Sequence, residues 1–183
     1  MKTQILSELN KVKHEGMQEL IKWLEESDFF EAPASTKYHG AFDGGLVEHS
    51  WNVFKLLKEK NQRYNLGLSE ETIIICGLLH DVTKISFYKK YWRYSKLNNE
   101  LEFYYKVEDS FPIGHSEKSI IILQKFIKLT PEEIVMIRWH MGTYELSWQN
   151  KMAFYNAVEK FPSVITMHTA DLESAFLLET REK

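Results

Sequence analysis

Residues 69–84 read SEETIIICGLLHDVTK and include the most apolar run of the chain. Ser69 followed by two glutamates indicates a helix start, because serine caps the first amides and acidic side chains suit the positive end of the dipole. The residues up to Leu79 are apolar on nearly every face, which predicts a helix at the centre of the domain. His80 and Asp81 end it, where ionisable groups are costly to bury unless they pair or bind a metal.

Helical periodicity on both sides of this stretch predicts a mostly helical domain of roughly six or seven helices. Residues 28–45 interrupt the pattern with Gly, Pro and Ser, which indicates a long connection. Thr130-Pro131-Glu132-Glu133 combines a threonine cap, a proline at the first helical position and a glutamate that can reach back to the cap. The other expected helices cover 1–27, the region around 46–57, 116–129, 131–140, 151–160 and 164–179.

An aromatic-rich segment over residues 87–107 departs from this helical pattern. Its centre is Asn98-Asn99, and asparagine tolerates the positive φ that a tight turn requires. We therefore predict an inserted β-hairpin here, within a single all-α domain that spans residues 1–183.

Composition excludes several classes of protein. The 183 residues contain 23 Lys and Arg against 26 Asp and Glu, a formal net charge of -3, which gives no general attraction to duplex DNA or to an acidic membrane face. The apolar stretches are too short to span a membrane. Cys76 is the single cysteine, so an internal disulfide is impossible and a reducing cytoplasm is expected. We expect no export and no membrane anchor.

Several helices present metal-capable side chains on their inward faces or at their ends. One turn before Val53, His49 lies on the inward face of its helix, and Asp171 shares a helical face with Ala175 and Leu178. Each of these alone could be an ordinary hydrogen-bonded core residue. Together, imidazole nitrogens and carboxylate oxygens suit zinc, iron, manganese or nickel. The full candidate set is His49, His80, Asp81, His115, His140 and Asp171.

The order of these residues resembles the HD superfamily of metal-dependent phosphohydrolases, which is named for its His...His-Asp...Asp pattern. The resemblance covers roughly residues 38–176. The matching stretches are GGLVEHS at 44–50, LLHDVTK at 78–84, GHSEKS at 114–119, IRWHMG at 137–142 and HTADLESA at 168–175. Tyr38-His39 also looks like the corresponding stretch in HD-domain exoribonucleases of Gram-positive bacteria.

The resemblance implies an HD-domain helical bundle that holds two divalent transition-metal ions. By analogy with dinuclear members, one ion takes His49, His80, Asp81 and Asp171, and the second takes His115 and His140 with Asp81 bridging both. Asp81 and Lys84 are the expected catalytic residues. Lys84 is three residues after Asp81, where its ammonium can neutralise negative charge that develops on the substrate; the alternative is an exposed lysine at a helix end.

Candidate substrate-binding residues carry charge or an aromatic ring. The hairpin interleaves lysine and arginine with tyrosine and tryptophan, a mixture that could hold phosphate and stack a base, or could equally be a solvated strand face. Lys118 and Arg138 lie close to proposed ligands and could contact phosphate or form structural ion pairs. The candidates are His39, Lys84, Trp92, Arg93, Lys118 and Arg138.

These observations predict hydrolysis of a phosphate ester, of a nucleotide or a short oligonucleotide, by water activated between two metal ions. Two alternatives remain open at this stage. HD-like folds also host mixed-valent diiron oxygenases with a similar His and Asp set, and metal identity and dioxygen uptake would distinguish that chemistry. The other alternative is a non-catalytic binding module in which the metals are structural.

Overall fold

The computed structural model describes residues 1–95, 99–143 and 148–179. Within these residues the chain forms eight α-helices and one two-stranded antiparallel hairpin, which confirms the predicted fold class. A 3₁₀ turn at Val82–Lys84 and a π-helical turn at Ser174–Leu178 extend two of the helices. The elements are α1 Lys2–Leu9, α2 Met17–Glu26, α3 Gly45–Tyr64, α4 Glu70–Leu79, β1 Tyr88–Ser95, β2 Glu100–Val107, α5 His115–Leu123, α6 Pro131–Arg138, α7 Trp148–Lys160 and α8 Ser163–Glu173.

The apolar helix α4 is buried over its whole length after the first turn, as its sequence predicts. The Ser69 side chain accepts a hydrogen bond from the Thr72 amide, which confirms the predicted cap. Helix α3 packs against α4 on one side and against α8 on another. A Cβ atom on Gly77 would lie 2.6 Å from the Cα of Phe54, so α3 and α4 approach as closely as only glycine allows. This contact holds the N-terminal half of α3 against the end of α4.

The prediction of one N-terminal helix over 1–27 is wrong. The chain forms α1 and α2, with a break between Leu9 and Met17. Gly16 caps α2 with φ 83, a left-handed conformation that favours glycine. A Cβ there would lie 1.8 Å from the Phe126 carbonyl oxygen, so the backbone turns where it contacts the segment after α5. Because the break preserves which side chains face the core, the apolar pattern alone did not show it.

Helix boundaries in the second half differ from the predicted ones at several points. Helix α5 ends at Leu123 rather than at residue 129, and turns join it to the next helix. The capping box of Thr130 and Glu133 is present as predicted. Helix α6 ends at Arg138, two residues earlier than predicted, and helix α7 begins earlier, at Trp148. Helix α8 stops at Glu173, and the predicted last turn is π-helical.

The hairpin pairs Tyr88 with Val107 at its base and Ser95 with Glu100 near its tip. Asn99 has φ 61, which fits the predicted turn, whereas Asn98 lies outside the described residues. Asp43 fastens the hairpin to the loop before α3, since its two oxygens accept from Lys90 Nζ and from the Tyr105 hydroxyl, each at 2.6 Å. Among the described residues, no helix combines the length and apolar character needed to cross a bilayer.

Candidate metal centre

A cavity of about 870 Å³ opens between the hairpin, the end of α4, the start of α5 and the C-terminal half of α8. One part of its wall is polar and contains histidine, aspartate and lysine, and the other part is apolar. The lining residues are Ala34, His39, Asp81, Lys84, Tyr88, His115, Met141, Thr143, His168, Asp171, Leu172, Ala175 and Phe176.

Three helices bring together the first histidine, the His-Asp pair and the last aspartate. His49 lies in the second turn of α3, and its Nε2 is 2.9 Å from Asp171 Oδ1 on α8. His80 Nε2, at the end of α4, is 3.2 Å from His49 Nε2 and 3.7 Å from Asp171 Oδ1. All three side chains are buried or nearly so. Their ligand atoms therefore face one small space below the cavity.

Asp81 lies between this group and the two additional histidines. Its Oδ1 accepts a hydrogen bond from His115 Nε2 at 2.5 Å and is 3.5 Å from His140 Nε2. Its Oδ2 is 2.6 Å from Lys84 Nζ and 3.6 Å from His49 Nε2. The carboxylate thus faces histidines on both sides, which is the position a bridging ligand would need.

The buried histidines present Nε2 towards this centre because their Nδ1 atoms are engaged elsewhere. His80 Nδ1 is 3.1 Å from the Gly77 carbonyl oxygen, and His140 Nδ1 is 2.7 Å from the Ile137 carbonyl oxygen. A carbonyl oxygen only accepts, so each Nδ1 carries the hydrogen and donates it. When such a ring is neutral, its lone pair is then on Nε2, where a metal ligand needs it.

Opposite charges keep the carboxylates of the site ionised. Burial raises the pKa of Asp81, but Lys84 and His115 outweigh it and hold the pKa well below the usual range. Burial raises the pKa of Asp171 in the same way, and hydrogen bonds from His49 and His80 lower it well below that range. Burial lowers the pKa of Lys84, and Asp81 reverses this so that the ammonium stays charged.

The histidines respond to the same environment in different ways. Burial lowers the pKa of His80, which stays neutral. Burial also lowers the pKa of His49, but hydrogen bonds to Asp171 and Glu179 outweigh it and raise the pKa to about 9. For His39, burial and the nearby His49 charge lower the pKa to about 4, so its ring is neutral. The space around His49 Nε2 therefore favours a cation.

The donor set fits a metal ion. His140 Nε2 is buried and has no hydrogen-bond partner among the described residues, a costly state for a polar nitrogen that a metal ion would relieve. Groups of three potential ligands with atoms within 4.8 Å of one another include His49 with His80 and Asp171, and His80 with Asp81 and His140. Neutral imidazoles and carboxylates suit divalent transition metals.

Of the six candidate substrate-binding residues, the structure places two in the cavity wall and four elsewhere. His39 and Lys84 line the cavity. Lys118 Nζ lies 2.5 Å from Asp109 Oδ1, and Arg138 pairs with Glu117 at 2.8 Å, so both cations already bind carboxylates. The two hairpin candidates lie on β1 outside the cavity wall, and Trp92 is 60% exposed.

Two residues of the site were missed by the sequence reasoning. Tyr88, the first residue of β1, lines the cavity, whereas the predicted hairpin candidates Trp92 and Arg93 lie nearer the tip. Glu179 is buried, and its Oε1 is 2.8 Å from His49 Nδ1. The one signal in the sequence was its position, eight residues after Asp171. In a regular helix this spacing of about two turns would not predict a contact with His49.

A sequence model of the HD domain family matches residues 46–174, so the chain belongs to this family and the resemblance drawn from the five motifs is confirmed. The dihydroneopterin 2',3'-cyclic phosphate phosphodiesterase of Methanocaldococcus jannaschii is 27% identical over 130 residues, which are 68% of this chain and 48% of that protein. The chain thus spans about half the length of this relative. No solved structure gives a significant match.

Proposed function

We propose that the chain is a metal-dependent phosphohydrolase that cleaves a phosphate ester of a nucleotide or a short oligonucleotide. The observation that carries the proposal is the convergence of histidine Nε2 atoms and ionised carboxylates at the base of one cavity. Family membership and the phosphodiesterase activity for which the Methanocaldococcus jannaschii relative is named support the same class of reaction.

The proposal assigns two metal positions. His49, His80 and Asp171 would hold one ion together with Asp81, and His115 and His140 would hold the second, with Asp81 contributing to both. The existing distances support this division, because Asp81 Oδ1 faces His115 and His140 while Oδ2 faces His49 and Lys84. Manganese, iron, zinc and nickel all suit these ligands.

Divalent ions held here would supply Lewis acidity and lower the pKa of a water molecule, which gives a hydroxide nucleophile near neutral pH. The chain itself supplies the remaining stabilisation. The Lys84 ammonium is fixed by Asp81 at the cavity wall, where it can neutralise charge that accumulates on the phosphoryl oxygens. Because this lysine is buried and held at one position, little reorganisation is needed during the reaction.

The cavity wall suits a substrate with one phosphoryl group and an apolar body. In the described part of the chain, Lys84 is the one lysine or arginine that lines the cavity, whereas binding a triphosphate usually employs several cations. Tyr88, Met141, Leu172 and Phe176 offer apolar surface for a planar ring. We therefore expect mononucleotides and their esters to be better substrates than nucleoside triphosphates.

The experiment is a hydrolysis screen with each of the four metals. The panel contains nucleoside 2',3'-cyclic monophosphates, nucleoside 5'-monophosphates, short oligonucleotides, nucleoside triphosphates and bis(p-nitrophenyl) phosphate. The relative's name makes a five-membered cyclic phosphate the first compound to test. Asp81→Ala is the inactive control, because it removes the carboxylate that faces both groups of histidines.

We expect the wild-type chain, and not Asp81→Ala, to release phosphate or open a cyclic ester when metal is present. A chain that binds metal and hydrolyses no member of the panel would contradict the proposed reaction. Dioxygen uptake by the iron-loaded chain in place of hydrolysis would instead indicate oxygenase chemistry.

A further inference from the structure

Both ring nitrogens of His49 contact carboxylates that belong to one short segment of the chain. Nε2 is 2.9 Å from Asp171 Oδ1, and Nδ1 is 2.8 Å from Glu179 Oε1. The His49 and Glu179 side chains are each 1% exposed, so water does not compete for this contact. Asp171 was already a candidate ligand, but nothing so far gives Glu179 a role.

His49 needs such a partner more than the other buried histidines do. His80 and His140 lie just beyond the last residue of their helices, where carbonyl groups lack an intrahelical partner and can accept from Nδ1. His49 lies inside the 20-residue helix α3, whose carbonyl groups accept from amides four residues later. An acceptor for its Nδ1 must therefore come from another part of the chain.

The π-helical turn after α8 supplies that acceptor. At Ser174–Leu178 the helix widens, and the Glu179 amide donates to the Ser174 carbonyl oxygen five residues earlier at 3.1 Å. The Ser174 hydroxyl, which is fully buried, donates to Glu179 Oε1 as well. These two contacts hold Glu179 against α3. A π-helical turn is rare in proteins overall, and the turns that do occur often lie at functional sites.

We propose that Glu179 is a positioning residue that fixes the orientation and tautomer of His49 so that Nε2 is presented to the metal. A carboxylate that accepts from Nδ1 keeps the hydrogen on that nitrogen, orients the ring and raises the basicity of Nε2. The inference rests on the metal assignment proposed above, and it adds a residue that touches neither metal nor substrate.

The test measures metal affinity and requires no catalytic turnover. Wild type, Glu179→Gln and Glu179→Ala are titrated with Mn²⁺ and with Zn²⁺ in competition with a chromogenic chelator. Glu179→Ala should weaken metal binding roughly 10- to 100-fold, the usual effect of losing such a partner. Glu179→Gln keeps an oxygen acceptor without the charge, so its loss should be smaller.

Glu173→Gln is the matched control. This carboxylate lies on the same segment, but it pairs with Lys60 at 2.7 Å, outside the metal centre. It should leave metal affinity unchanged. Thermal melting separates positioning from packing: in chelator Glu179→Gln should melt close to wild type, and on metal addition it should gain less stability.

Equal metal affinity in wild type, Glu179→Gln and Glu179→Ala would overturn the inference. So would a variant that loses stability in chelator yet binds metal as wild type does, because that result indicates packing alone. A wild-type chain that binds neither metal would overturn this inference and the proposed function together. Normal metal binding without hydrolysis of any ester would contradict only the proposed function.

Discussion

At the scale of single residues, the contact between Asp81 and Lys84 joins the candidate metal centre to the cavity wall. Each is almost fully buried, and their charged atoms lie 2.6 Å apart. The roles we propose for them differ, since Asp81 faces two groups of histidines whereas Lys84 faces the cavity. Removing each in turn therefore distinguishes loss of metal from loss of transition-state stabilisation.

We predict that Asp81→Ala abolishes both metal binding and hydrolysis, whereas Lys84→Met keeps the metal and loses mainly kcat. Methionine fills a similar volume without the charge, so the fold is preserved. The expected loss in kcat is about 10²- to 10³-fold, as for removal of one preorganised electrostatic contact. Elemental analysis and steady-state kinetics on the same samples measure both quantities. Equal loss of metal in the two variants would assign Lys84 a structural role.

Residues whose partners are set by the long-range fold were harder to predict than those within motifs. His49, His80, Asp81 and Asp171 were nominated from their helical faces, and the structure brings them together. Glu179 contacts His49, 130 positions away, because the π-helical turn directs its side chain towards α3. Sequence periodicity describes regular helices, so it cannot predict which side chain an irregular turn directs inward.

At the scale of elements, the hairpin contributes to the cavity through its base. Tyr88 lines the wall, and Asp43 fixes the hairpin through Lys90 and Tyr105. Trp92 pairs with Phe103 further along the strands and is exposed. A mononucleotide in the cavity would therefore contact the base of the hairpin, and a longer substrate could continue along it.

We predict that Tyr88→Ala raises KM for a mononucleotide substrate and that Trp92→Ala does not. Stacking of a base on an aromatic ring contributes roughly 1 to 3 kcal/mol, which corresponds to about 5- to 150-fold. With an oligonucleotide, Trp92→Ala and Arg93→Ala should also raise KM. The measurement is KM for a mononucleotide and for an oligonucleotide, determined side by side for the wild type and each variant. An equal effect of Tyr88→Ala and Trp92→Ala on the mononucleotide would contradict this arrangement.

The break between α1 and α2 allows a matched stability test. Gly16→Ala places a Cβ 1.8 Å from the Phe126 carbonyl oxygen at φ 83. At Gly67, with φ 74, a Cβ would meet no atom of the described chain within 4 Å apart from its sequence neighbours. We expect Gly67→Ala to lower the free energy of unfolding by about 1 to 2 kcal/mol, from the left-handed backbone alone. Gly16→Ala should lower it clearly more. Urea denaturation measures both, and equal losses would show that the contact with Phe126 does not define the break.

The elements also show where the sequence was informative. The capping box at Thr130 and the buried helix α4 were predictable because local chemistry determines them. The division of the N-terminal helix was not, because Gly16 turns the chain to meet Phe126, a contact between distant segments.

At the scale of the whole molecule, the formal net charge of -3 gives little attraction to a phosphorylated substrate. Recognition must therefore be local, at a cavity where buried carboxylates would be costly without a cation. The main proposed ligands come from three separate segments, α3, the end of α4 and α8, so metal binding should couple these elements and stabilise the domain.

The rate of ester hydrolysis as a function of added metal tests the central claim most directly. Chain treated with chelator is titrated with manganese, iron, zinc or nickel while hydrolysis of the best panel substrate is followed. We predict no rate without metal, and a rise that levels off at about two equivalents per chain. Asp81→Ala should show no rise. A rate of hydrolysis that persists unchanged after complete removal of metal would contradict the account. So would a chain that binds each of the four metals in turn and hydrolyses the ester with none of them.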